Sequence, residues 1–139
     1  MDPWQFLLVA EMLRDSELEA GRRSSISRSY YAIYNEIVCC LRERHVTVPE
    51  RDSHEKLCRY LAATGHEVLG ALADDLRGLK DARLRADYEM DADPATFSPV
   101  QAARALSRAR RIRQQFVSVG ADAAAELIAD YLRRTRQMP

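Results

Sequence analysis

The stretch Ile26-Ser27-Arg28-Ser29-Tyr30-Tyr31-Ala32-Ile33-Tyr34-Asn35-Glu36-Ile37-Val38-Cys39-Cys40-Leu41 decides the fold class of this chain. Ile26, Tyr30, Ile33, Tyr34, Ile37, Val38 and Leu41 recur at spacings of three and four, which draws one continuous apolar stripe along an α-helix. That helix is expected from about Arg23 to His45. Outward toward the N-terminus, Asp2-Pro3-Trp4-Gln5 combines an Asp N-cap, a proline at the first helical position and Gln at the third. It opens a helix expected to reach about Glu19 and to break at Gly21. Toward the C-terminus, Asp52 and Glu55 predict the cap of a short helix running to about Ala63, with Leu57 and Leu61 inward. Val68, Leu69, Leu72, Leu76, Leu79 and Ala86 mark a fourth helix ending near Met90, and DADPATFSP (residues 91–99) reads as a loop. Ser98-Pro99-Val100-Gln101 repeats the capping pattern and opens a fifth helix, with Val100, Ala103, Leu106, Ile112, Phe116 and Val119 inward and Gly120 at its end. A last helix spans about Asp122 to Arg136.

No segment alternates apolar and polar residues with a period of two, so no strand is expected. The fold class is therefore all-α, an up-and-down bundle of four principal helices with a short inserted helix and an extra C-terminal helix. Residues 1–120 form the bundle in this reading, and residues 121–139 are an extension of it.

With 139 residues the chain is one ordinary domain that buries roughly two-thirds of its unfolded surface. Hydrophobic residues make up 47% and charged residues 30%, which excludes a disordered tail, and no apolar run approaches a membrane span. The start, MDPWQFLLVAEML, carries acids where a signal peptide needs a basic region, so the expected location is cytoplasmic, away from membranes. Cys39, Cys40 and Cys58 show no CxxC spacing and read as core or boundary fillers in a reducing compartment. Phosphate-loop, dinucleotide-binding and zinc-protease patterns are missing, as is a Glu-x-x-His pair on an inward helix face. No metal and no cofactor is expected.

Charge is balanced, 21 basic against 21 acidic residues, but segregated. Residues 1–20 and 66–95 are net acidic, while residues 21–65 and 96–139 are net basic. Arg104, Arg108 and Arg111 fall at i, i+4 and i+7 on the fifth helix, a rail for phosphate contacts. The alternative is a solvated face paired with Glu11, Asp15, Asp74 and Asp75. On the second helix Arg28, Tyr31 and Asn35 form a polar stripe beside the apolar one; the alternative is that Tyr30, Tyr31 and Tyr34 are boundary aromatics with hydroxyls in water. On the fourth, Arg83 and Asp87 are four apart and can pair locally.

Arg28-Ser29-Tyr30-Tyr31-Ala32, then Ser53-His54, then Arg83-Leu84-Arg85-Ala86-Asp87-Tyr88, taken in this order, resemble the HEPN domain (higher eukaryotes and prokaryotes nucleotide-binding) over about residues 5–117. The likeness is to its small bacterial branch, and it implies a helical bundle that homodimerises, often encoded beside a minimal nucleotidyltransferase. Many such relatives are toxin or antiviral ribonucleases that cut RNA without metal, through an arginine and a histidine spaced R-x4–6-H on one late helix. Here position 88, five after Arg83, holds tyrosine, and the histidines stand at 45, 54 and 66.

On this resemblance the expected reactive residues are Arg83, Asp87, Tyr88 and His54. Arg83 would contact phosphate, Asp87 would orient Arg83 or a ribose hydroxyl, and Tyr88 would donate a hydrogen bond. Arg28, Tyr31, Asn35, Arg85, Arg104, Arg108 and Arg111 are the expected RNA or nucleotide contacts, and a single pocket is expected to join Arg28, Tyr31 and Asn35 to Arg83, Asp87 and Tyr88. The setting would be a toxin–antitoxin or phage-defence module. Two other roles stay open: a non-catalytic partner docking a nucleotidyltransferase or larger defence effector, and a helical adaptor whose interface is Leu127, Ile128, Tyr131 and Leu132.

Overall fold

A computed structural model of the chain describes residues 1–135 and residue 137. Six α-helices follow one another: α1 (Gln5–Leu13), α2 (Glu19–Arg42), α3 (Ser53–Ala63), α4 (Glu67–Tyr88), α5 (Pro99–Val119) and α6 (Ala121–Arg134). A 3-10 turn, Pro94–Phe97, occupies the segment expected to be loop. The stripe read on α2 is the spine of the core, with Tyr30 only 1% exposed and Ile33, Ile37 and Leu41 fully buried. α1, α4 and α5 pack around α2, and α3 lies across α4. The all-α bundle with an inserted short helix is therefore the observed class, and its core is a single cluster of buried side chains.

Several boundaries differ from the expectation for identifiable reasons. The break between the first two helices lies at residues 14–18, and Gly21 sits inside the first turn of α2. A Cβ at Gly21 would collide with the Ser16 side chain, so this glycine serves close approach of the chain just before the helix. Asp2 accepts from the Trp4 amide at 2.9 Å one turn ahead of α1, so its carboxylate precedes the helix rather than capping it at Gln5. Asp52 makes no capping bond with its side chain; its φ of 53° places it in the left-handed region. His66 caps α4 instead, Nδ1 accepting from the Val68 and Leu69 amides. Ser98 caps α5 as its sequence predicts, accepting from Gln101 N.

On α5 the inward face is turned from the expected one. Leu106, Ile112 and Phe116 are buried, but Val100 is 59% exposed, and Ala102, Ala105 and Ala109 take the core positions. Alanines allow α5 to approach closely, and the arginines between them then fall on the outer faces. α6 folds back onto its own bundle, against α3, α5 and α2. Ile128 and Leu132 are buried in the common core, and Leu127 and Tyr131 pack against it, so these residues are not the free interface of an adaptor. Arg136, the expected end of that helix, lies outside the described residues.

Candidate functional site

The polar side chains of α2 and α4 meet where the two helices pack. Ser27 and Tyr31 are one turn apart on α2, and Arg83 and Asp87 are one turn apart on α4. Arg83 Nη1 donates to the Tyr31 hydroxyl at 3.0 Å and to Asp87 Oδ2 at 3.3 Å, and Ser27 Oγ donates to the same carboxylate oxygen at 3.2 Å. Arg83 is 7% exposed, and its Nε is buried without a partner. Its guanidinium lies over the Tyr31 and Tyr30 rings, 5.2 and 5.6 Å from their centroids. A cation held this way is fixed in place by ring faces and a carboxylate together.

The first turn of α3 completes the cluster. Ser53 Oγ accepts from the Tyr34 hydroxyl at 2.7 Å, and the neighbouring His54 Nδ1 is hydrogen-bonded to the Tyr30 hydroxyl. The His54 ring lies 4.3 Å from the Tyr34 ring centroid. The hydroxyls of Tyr30 and Tyr34 are thus committed inside the protein rather than left in water. Burial first, then the Lys80 and Arg83 charges, hold His54 below its usual value of 6.5, so the imidazole is neutral at pH 7. Burial also raises the Tyr30 phenol well above its ordinary value, so the proton stays on that oxygen. Either His54 tautomer makes the bond. With the proton on Nδ1, the phenol oxygen accepts and Nε2 keeps a free lone pair.

The expected residues separate into distinct places. Arg83, Asp87, Tyr31 and His54 come together, joined by Ser27 and Tyr30. Tyr88 does not join them; it is 70% exposed at the end of α4. Asn35 turns back on its own helix, Nδ2 donating to the Tyr31 carbonyl at 2.9 Å. Arg28 is exposed and lies over the Phe6 ring of α1, and that ring in turn neighbours Tyr31. The single pocket expected from sequence is therefore divided: Arg83 is buried while Tyr31, His54 and Asp87 around it stay partly exposed, and Arg85, Arg104, Arg108 and Arg111 line a separate groove of about 790 Å³ between α4, α5 and the 3-10 turn.

Ser27 and Tyr30 were not singled out as site residues in the sequence. Ser27 carried a usable signal, because it stands one turn before Tyr31 on the same helix face. Tyr30 carried none, since an inward tyrosine in an apolar stripe looks the same whether its hydroxyl finds a partner or not. Among the described residues, no group of three or more His, Cys, Asp and Glu is gathered to hold a metal ion.

Fold and cluster together define an all-α bundle with an arginine, a carboxylate and a tyrosine clasped between its two longest helices. The HEPN domain model matches residues 10–119, most of the chain, and the chain belongs to that family, whose functions concern nucleotides and RNA. No curated protein and no solved structure shows significant similarity to it. The matched region ends where α5 ends and excludes α6. No helix among the described residues is long and apolar enough to cross a membrane.

Proposed function

We propose that this chain is an RNA-binding HEPN protein of a toxin–antitoxin or phage-defence module, working as a homodimer and cutting RNA slowly without metal. One observation carries the reading: Arg83 and His54, from different helices, flank the same Tyr30 ring, which supplies from α3 the histidine that the R-x4–6-H spacing lacks at position 88. In the tautomer with its proton on Nδ1, neutral His54 takes the proton of a ribose 2′-hydroxyl at Nε2. The resulting oxygen attacks the adjacent phosphorus, the P–O5′ bond breaks, the leaving 5′-oxygen takes a proton from water, and a 2′,3′-cyclic phosphate remains. Arg83 balances the charge developing on the phosphoryl oxygens, and Asp87 with Tyr31 fixes its orientation.

The test is incubation of the full chain with end-labelled single-stranded RNA in excess EDTA. Cleavage by the wild type that falls 10²–10⁴-fold in His54→Ala is expected, the usual worth of a positioned general base. RNA neither bound nor cut by a folded wild type overturns the reading.

A second reading is favoured by the burial of Arg83. A guanidinium already clasped by Asp87 and Tyr31 serves as a structural pin, and the chain would then be a non-catalytic partner docking a nucleotidyltransferase or larger effector. It predicts no cleavage, and loss of stability rather than of activity in Arg83→Ala.

A further inference from the structure

The arginines of α5 fall into two groups. Arg110 pairs with Glu11, Arg113 with Glu36 at 3.0 Å, and Arg111 with Asp75 at 3.6 Å. The expectation that the acidic first and fourth helices neutralise this face holds for Arg110 and Arg111; Glu36, the partner of Arg113, lies on α2. Arg104 and Arg108 have no ion-pair partner among the described residues, and both line the groove between α4 and α5. Arg85 and Arg111 complete its rim over a floor that includes Leu79 and Ala82, and no carboxylate among the described residues lines it. Arg85 reaches only the exposed Glu89 at 3.4 Å, a contact that exchanges cheaply for a phosphate, while Arg111 keeps the half-buried Asp75 as its partner.

The α4 wall is cut away to seat one of these cations. Gly78 lies in the middle of a helix, where glycine costs about 1 kcal/mol relative to alanine. A Cβ there would stand 3.1 Å from Arg108 Nη1, so the missing side chain gives the guanidinium its bed.

The geometry points to this groove as a binding track for the phosphate–ribose backbone of single-stranded RNA, separate from the cluster around Arg83. This inference rests on the RNA reading above. Arg104 to Arg111 spans seven residues, about 10 Å along the helix, enough for a short run of adjacent phosphates. The volume of about 790 Å³ suits a short segment rather than a long duplex. Phe97, the aromatic residue in the lining, is 2% exposed and covered by Arg23 at 4.0 Å, so no ring is offered for a base to stack on. Contact is therefore with the backbone and is indifferent to sequence.

Fluorescence anisotropy of the full chain with two unrelated labelled 12-nucleotide RNAs, over a salt series, tests this. The Arg104→Gln/Arg108→Gln double variant should bind both RNAs about tenfold more weakly. Its slope of log affinity against log salt should be shallower by about 1.4, or ~0.7 for each lost single-strand contact. The charge-matched control Arg133→Gln/Arg134→Gln, on α6, should keep the wild-type slope. Circular dichroism reports whether each variant is folded; if the double variant is not, Gly78→Leu, which crowds the Arg108 bed, is the second probe and should weaken both RNAs alike. Wild-type binding that the groove variants leave unchanged overturns the track and spares the RNA reading. A wild type that binds neither RNA overturns both. Tighter binding of a labelled polyglutamate peptide than of RNA at equal salt assigns the groove to an acidic protein partner and overturns the track.

Discussion

Arg83 shows how one side chain ties stability to the candidate site. Its guanidinium bonds Tyr31 and Asp87 while almost wholly buried. Replacing it by alanine strands the Tyr31 hydroxyl and leaves the Asp87 carboxylate with only the Ser27 hydroxyl. Arg83→Ala should therefore lower unfolding free energy by about 1–3 kcal/mol in urea titrations, less than for a fully sealed pair because the Asp87 side chain is 29% exposed. His54 carries a pH signature. Its folded value is depressed, first by burial and then by Lys80 and Arg83, so the unfolded chain binds the extra proton as pH falls below about 6.5. Stability should be fully present above that value and decline below it. The decline should shrink in His54→Gln when urea midpoints are compared between pH 8 and pH 5. Cys58, with its thiol pushed up to about 11 by burial, should stay unreactive toward alkylating reagents in the native state.

Among the elements, α2 was legible because its inward positions are large and evenly spaced, and all seven predicted stripe residues are buried. α5 was misread at Val100 because alanine, which carries no strong apolar signal, occupies its contact face at 102, 105 and 109. The α1–α2 break was displaced because Gly21 looks like a helix stop, while its role is to admit Ser16. Two glycine variants separate these meanings. Gly70 of α4 has open space where a Cβ would go, so Gly70→Ala should raise stability by about 0.5–1 kcal/mol. Gly21→Ala should lower it by about 1–3 kcal/mol, because the added methyl meets Ser16. Thermal or urea melts of both decide it, and equal shifts of the same sign would contradict the account.

At the scale of the whole molecule, α6 lies beyond the family match yet closes the same core. It buries Ala124, Ala125, Ile128, Ala129 and Leu132, and its Asp122 accepts at 2.6 Å from Arg44 in the turn just after α2. Ile128→Ala should cost about 2–5 kcal/mol, and removal of residues 121–139 should cost at least as much, a large share of a typical domain's 5–15 kcal/mol. A truncated chain as stable as the full one in urea would show that α6 only decorates the bundle. The sequence by itself determined the helical class, the α2 spine, the Ser98 cap and the pairing of Arg83 with Asp87, because helical period and one-turn spacing are local properties of the chain. Tertiary structure decided what local spacing does not encode: Tyr30 reaches His54, Tyr88 faces solvent, and among the described residues Arg104 and Arg108 meet no carboxylate while Arg110, Arg111 and Arg113 do. Those outcomes depend on how helices are rotated against one another, and that rotation is set by packing the whole core at once.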